Sequence, residues 1–254
     1  METLNLRDDS GVRIVEMDRP KALNAFNSLL MDELAETFLK AAADPATSVL
    51  VLTGAGRAFS AGADLLEMGQ PNPRQAVHGF PGLLDAILDF DKPFIVAVNG
   101  VGAGIGATIC GLADLAYMSE NARLRCPFSA LGLTAEAAST FTFPLLMGRQ
   151  RANWFLLSAE WMSAAECVDA GLALELLKPE ALMPRVLEQA FKLARLPQTS
   201  LATTKKLMLD PIREQLRSSI KAENAGLAEL AGGPANREAL AAFREKREPD
   251  FSGL

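Results

Sequence analysis

The stretch Phe59-Ser60-Ala61-Gly62-Ala63-Asp64-Leu65 follows an apolar run, Val49-Leu50-Val51-Leu52, and a loop, Thr53-Gly54-Ala55-Gly56-Arg57. The run reads as a buried strand. The chain then turns on glycines and enters a helix for which Asp64 is a candidate cap. A strand that hands over to a helix in this way leaves backbone N–H groups without carbonyl partners, aimed at whatever lies above the helix N-terminus. A second such turn is Asn99-Gly100-Val101-Gly102-Ala103-Gly104-Ile105-Gly106, after the apolar run Phe94-Ile95-Val96-Ala97-Val98. Two turns of this kind can hold one oxygen anion between two N–H donors, which points to chemistry through an enolate.

Working outward, Val12–Met17 reads as a strand. Ser28–Ala42 reads as a helix, with Leu29, Leu30, Leu34, Phe38 and Ala41 on one face and Asn27 as its cap. A helix is expected after Asp64, another near Leu83–Phe90 and a third after Gly104, with a strand around Leu115–Met118. This alternation implies an α/β layer fold, a repeated ββα spiral being one form of it. Gly69 to Pro81 is rich in glycine and proline and is expected to be a mobile loop. From about Pro144 the pattern is helical, with helices over 180–195, stopped by Pro197, and over 212–230 and 235–247. No repeat of 20–50 residues and no low-complexity tract is seen.

With 254 residues, 49% of them hydrophobic, the chain can bury a sizeable core. The net charge of −6 argues against a nucleic-acid surface, though a few local cations suffice for a phosphate-bearing small ligand. No apolar run is long enough to span a membrane, and Met1-Glu2-Thr3-Leu4 lacks the features of a secretory signal. Ser252-Gly253-Leu254 lacks the lysine of a peroxisomal address. Three well-separated cysteines, Cys110, Cys126 and Cys167, are expected to be buried and reduced, as in a cytoplasmic enzyme.

Four blocks, in order along nearly the whole chain, resemble the crotonase (enoyl-CoA hydratase/isomerase) superfamily. They are Arg19-Pro20-Lys21-Ala22-Leu23-Asn24-Ala25, Phe59 to Leu65, Lys92-Pro93 to Val98-Asn99-Gly100 with its glycine turn, and Ala242-Phe243-Arg244-Glu245-Lys246-Arg247. The resemblance implies a crotonase-like ββα spiral core over residues 1–190. A helical C-terminal segment, 191–254, would build trimer contacts in a homotrimer or a dimer of trimers. The implied substrate is an acyl-CoA, with coenzyme A as part of the substrate and no separate cofactor or metal.

The resemblance also assigns roles. Ala63 and Ile105 match the two backbone oxyanion donors; the second position is often glycine in the family, and isoleucine is compatible with a backbone donor. Lys21, Ala22 and Leu23 match the loop that lies against the CoA pyrophosphate and adenine, and Ala61, Asp64 and Leu65 flank the first donor on the ligand side. Asp64 itself reads as a helix cap rather than a catalytic acid. Phe243 and Lys246 match a contact to the nucleotide end, which a neighbouring subunit can supply. Family hydratases use two glutamates, and the matching positions hold Thr108 and Phe128. Neither can act as a general base. Glu136 instead matches the single acid/base of the enoyl-CoA isomerases, although Ala135-Glu136-Ala137 departs from their Pro-Glu-Gly flanks. A carboxylate between apolar runs has its pKa raised toward neutrality; the plainer reading is a glutamate at a helix N-terminus.

The expected function is therefore a Δ3-Δ2-enoyl-CoA isomerase. The alternatives are a hydratase-like enzyme, an isomerase of a ring-derived acyl group, and a catalytically silent acyl-CoA-binding member. Other chemistries fare worse. His78 is the only histidine and falls in the Gly/Pro loop, where it is expected to be exposed and inert. Ser60 is not in a nucleophile elbow, and no Cys/His pair has metal spacing. Gly102-Ala103-Gly104-Ile105-Gly106-Ala107 fits a dinucleotide fingerprint formally, but no acidic residue stands at the end of a second strand where the ribose would need one.

Overall fold

Every residue of the strand at Val49 is buried because both faces of its sheet are covered. Val49 and Val51 point one way, into a cluster with Val12, Ile14, Ile95, Ala97 and Tyr117 beneath Leu182, Val186 and Ala190 of a covering helix. Leu50 and Leu52 point the other way, into the larger core with Val15, Met17, Leu34, Phe38, Phe94 and Val96. The period of two along a strand thus divides one apolar run between two cores.

The computed structural model describes residues 1–68 and 74–254. Its strands are β1 (Leu4–Asp9), β2 (Val12–Met17), β3 (Val49–Gly54), β4 (Ala58–Ser60), β5 (Phe94–Val98), β6 (Val101–Ala103), β7 (Leu115–Ser119), β8 (Arg123–Arg125), β9 (Trp161–Ser163) and β10 (Glu175–Leu177). Its helices begin with α1 (Ser28–Ala43), α2 (Leu65–Met68), α3 (Gly79–Leu88), α4 (Ile105–Thr108) and α5 (Ser139–Met147). They continue with α6 (Arg149–Ser158), α7 (Ala164–Ala170), α8 (Pro179–Ala194), α9 (Gln198–Leu230) and α10 (Pro234–Glu245).

The strands form a six-stranded sheet, β1-β2-β3-β5-β7-β10, and a four-stranded sheet, β4-β6-β8-β9. All neighbours in the first are parallel except β1 with β2, and all in the second except β8 with β9. Each of β3, β5 and β7 is followed within a few residues by its short companion in the other sheet, β4, β6 or β8. Successive turns therefore stack in parallel with two strands per turn, which is the expected ββα spiral. Asn27 caps α1 as expected, accepting from the Leu30 N–H at 2.9 Å.

Several expectations shift. The loop expected over 69–81 includes residues 69–73, which lie outside the described residues, and α3 already begins at Gly79. His78 is half-buried at the N-terminus of α3, and its N–H donates to Asp32 at 2.8 Å, rather than standing exposed. The helix expected over 212–230 is the second half of the 33-residue α9, which passes through Pro211. Cys110, Cys126 and Cys167 are buried and unpaired, as expected. No described helix is long and apolar enough to cross a membrane.

Candidate active site

The spiral brings its two glycine turns into contact. Gly62 has a φ of +93°, and a Cβ there would lie 2.8 Å from the Ala103 carbonyl oxygen and 3.7 Å from the Gly104 Cα. Gly104 has a φ of +53°, and a Cβ on it would lie 3.5 Å from Glu136 Oε1. At Gly62 both the conformation and the close carbonyl call for glycine, whereas at Gly104 the positive φ does, with Glu136 at ordinary contact distance.

The backbone hydrogen bonds around each turn account for its donors. Phe26 forms a parallel bridge with Ala63 in which the Phe26 N–H donates to Gly62 O (2.7 Å) and the Asp64 N–H donates to Phe26 O (3.0 Å). The pattern uses the residues on either side of Ala63 and turns the Ala63 N–H away from Phe26. Ile105 is the first residue of α4, where an N–H has no intrahelical acceptor, while Ala107 and Thr108 donate to Gly104 O. Among the described residues, neither the Ala63 nor the Ile105 N–H donates to an acceptor of the chain.

Both residues line a cavity of about 340 Å³ together with Phe26, Ser28, Met31, Glu67, Phe80 and Glu136. Its wall is mostly apolar. Glu136 is half-buried, and burial pushes its carboxyl up to about 7, with repulsion from Glu223 adding to the effect. Glu67 is held by Ser28, its Oε2 accepting from the Ser28 N–H at 2.7 Å and hydroxyl at 3.1 Å. Thr108 and Phe128 are buried in the core, and the Thr108 hydroxyl has no partner among the described residues. A larger hollow of about 470 Å³ lies elsewhere, against α6 and β9, lined by Arg151, Trp154 and Trp161. Its Glu166 carboxyl is held below the ordinary range by the Ser163 hydroxyl and N–H.

Asp64 sits at the start of α2, where its Oδ1 accepts from the Leu66 and Glu67 N–H groups at 3.2 and 3.3 Å and its Oδ2 pairs with Arg19 at 2.9 Å. Both oxygens are engaged in capping and pairing, in keeping with its reading as a cap. Lys21 and Ala22 belong to a 3-10 turn, Pro20–Ala22, closed by Leu23 in a left-handed conformation. The Leu23 carbonyl accepts from the Ala61 N–H at 2.9 Å, so this loop lies directly beside the first glycine turn. Lys21 is exposed. Phe243 and Lys246 are exposed at the end of α10, whose Asn236 donates to the Leu131 carbonyl at 2.8 Å. They lie on a different element from the Lys21 loop, and neither lines the cavity. The dinucleotide reading loses its footing, because the helix after Gly104 is only four residues long and its strand belongs to the small sheet.

Three structural contributors went unread in the sequence. Asn24 is fully buried and donates to Ala55 O (3.0 Å) and Ala58 O (2.9 Å) while accepting from the Arg19 N–H (2.9 Å). It pins the 19–25 loop to the entry of β4. Asp32 of α1 accepts from the N–H groups of Val77, His78 and Gly79 at 2.8–2.9 Å. Glu223 of α9 is buried and accepts from Ala138 and Thr140. Asn24 alone stood inside a quoted motif; the other two act over separations of more than 40 residues, for which local pattern carries no signal.

The chain thus builds an α/β spiral of two sheets with paired glycine turns beside an apolar cavity. Comparison with known proteins places it in a family. A sequence profile described as enoyl-CoA hydratase/isomerase matches residues 7–253. The chain is 32% identical over its whole length to a 2,3-dehydroadipyl-CoA hydratase of Escherichia coli K12, all of which is covered. It is also 32% identical to a 1,2-epoxyphenylacetyl-CoA isomerase of the same organism, covering 100% of this chain and 99% of the relative. A solved enoyl-CoA hydratase/isomerase from Pseudoalteromonas atlantica superposes with a TM-score of 0.95 at 32% identity, over 98% of this chain and 100% of the other. The chain belongs to the enoyl-CoA hydratase/isomerase family, and its fold is the crotonase fold.

Proposed function

We propose that this protein is an enoyl-CoA isomerase that moves a double bond from the 3,4 to the 2,3 position of an acyl-CoA. The observation that carries the reading is Glu136, a carboxyl with its pKa raised to about 7 in an apolar cavity shared with Ala63 and Ile105. In the carboxylate form Glu136 removes a proton from C2. The electron pair enters the thioester as a dienolate, whose oxygen accepts from the Ala63 and Ile105 N–H groups. Such a donor is worth about 3 kcal/mol in a transition state of this type. The same Glu136 returns the proton at C4. The thioester carbonyl takes up the charge, so the proposed reaction draws on no metal or separate cofactor. Lys21, Ala22 and Leu23, with Ala61, Asp64 and Leu65, would contact the CoA portion, and Phe243 and Lys246 would reach its nucleotide end.

Hydration is the second reading, since the E. coli 2,3-dehydroadipyl-CoA relative is a hydratase. Hydration needs one group to activate water and another to protonate C2, and the positions that match those two acids hold Thr108 and Phe128. The proposal extends to a cytoplasmic homotrimer or dimer of trimers, with a core of residues 1–190 and a helical assembly segment of 191–254. The deciding experiment supplies the protein with a 3-enoyl-CoA and, separately, a 2-enoyl-CoA. Bond migration from the first with little 3-hydroxyacyl-CoA from the second is expected. Rapid hydration without migration would overturn the isomerase reading.

A further inference from the structure

The segment that carries Glu136 is held from behind by a helix more than 80 residues away in sequence. Glu136 is followed by Ala137 and Ala138, two non-glycine residues with φ of +58° and +56°, and then by the first turn of α5. Left-handed backbone at two successive alanines needs support from its surroundings. Ala138 has no side-chain oxygen with which to cap α5. Glu223 of α9 supplies the missing acceptors. Its Oε2 takes the Ala138 N–H at 2.7 Å, and its Oε1 takes the Thr140 N–H at 3.0 Å and the Thr140 hydroxyl at 2.6 Å. Glu223 is 4% exposed, and its three donors all come from the four residues that follow Glu136.

We propose that Glu223 is a positioning residue for Glu136: it fixes the left-handed segment 137–138 so that the Glu136 carboxyl faces the cavity, and it places a second buried carboxylate behind the first. This rests on the reading of Glu136 as the acid/base. The titratable groups around Glu136 are Glu223 from α9, Cys126 from the segment after β8, and Glu67 from α2 across the cavity. Repulsion from Glu223 acts on the Glu136 carboxyl in the same direction as burial. A glutamine at 223 keeps the shape, but its single carbonyl can serve only one of the two backbone amides and it carries no charge.

The test uses the full-length protein labelled with ¹³C at glutamate carboxyls, the Glu136 signal being the one lost in Glu136→Gln. In Glu223→Gln the Glu136 titration midpoint should fall from about 7 toward the ordinary carboxylate range. Exchange of the Ala138 and Thr140 amides should quicken. Turnover of a 3-enoyl-CoA should drop by roughly 10²-fold through kcat more than KM, as misplacement of a reacting group by about 1 Å produces, and the acid limb of its pH profile should move down. Thr140→Val removes only the hydroxyl donor at an exposed position, and it should quicken the same two amides to a smaller extent even if Glu223→Gln folds poorly. An unchanged midpoint and unchanged exchange in the folded variants would overturn the proposal. If the parent moves no double bond, the isomerase reading falls, while midpoint and exchange still decide the role of Glu223.

Discussion

Glu136 concentrates a conflict between stability and chemistry in one side chain. Its carboxyl is raised to about 7 by burial, then by Glu223, against an ordinary value of 4.5. As the proposed base it must be ionised, so turnover of a 3-enoyl-CoA should climb as pH rises through about 7 and level off above it. Glu136→Gln should lose about 10²–10⁴-fold in kcat while still binding CoA thioesters, as read by steady-state kinetics and ligand titration. For stability the sign is opposite. A carboxyl whose folded pKa lies above its unfolded value favours folding most below 4.5, and that contribution is lost as pH rises through about 7. The inactive glutamine variant should therefore melt higher than the parent at pH 8, and show less advantage at pH 5. A parent that is more stable than the variant at pH 8 would mean the buried carboxylate is better solvated than this account requires.

Among the elements, α1 and α3 form the wall from which Met31 and Phe80 line the cavity, and Asp32 ties them together. Burial alone would raise the Asp32 carboxyl, but the N–H groups of Val77, Gly79 and His78, with Arg74, hold it well below its ordinary 3.8. Its stabilisation is present above 3.8 and is lost as pH falls below that value. Asp32→Asn turns an NH2 group toward backbone donors and should cost about 3 kcal/mol at pH 7. The gap to the parent in thermal melts should narrow below pH 4, and an equal gap at every pH would point to packing rather than charge. These long-range ties explain how far sequence reading reached. The strands β3, β5 and β7 announce themselves as apolar runs, β2 by its buried Val12, Ile14, Val15 and Met17 around two charged residues, and α1 because its apolar stripe follows a capping asparagine. The four strands of the small sheet are three residues each, too short to show a period. β1 is an edge strand with five of six residues exposed, so it shows no apolar face. In α9 the proline at 211 concealed continuity, and the contacts of Glu223 span 83 and 85 residues. Ala63, Ile105 and Glu136, which line one cavity, all stood in motifs, whereas Asp32 and Glu223, which hold the surrounding segments, did not.

Across the whole molecule, α9 joins the C-terminal segment to the site instead of hanging from it. Buried Lys205 bonds Asp114 and the Lys92 carbonyl, Arg217 pairs with Asp85 and Asp89 at the end of α3, and Glu223 reaches the Glu136 segment. On the same helix Leu207 and Met208 are exposed, at 69% and 63%. These exposed apolar side chains are in keeping with the assembly role proposed for residues 191–254. Light scattering on the purified protein should then give three or six times the chain mass of 27.2 kDa. The double variant Leu207→Glu, Met208→Glu should lower that mass while leaving the far-ultraviolet spectrum of the chain intact. Activity should fall with the mass if a neighbouring subunit supplies Phe243 and Lys246 to the nucleotide end of the ligand, and the loss should appear in KM, because those residues would bind CoA without touching the reacting carbons. A monomeric parent would end the trimer proposal. An intact oligomer in the double variant, together with dissociation of Trp154→Glu, would move the contact to the face of α6, where Trp154 is also exposed.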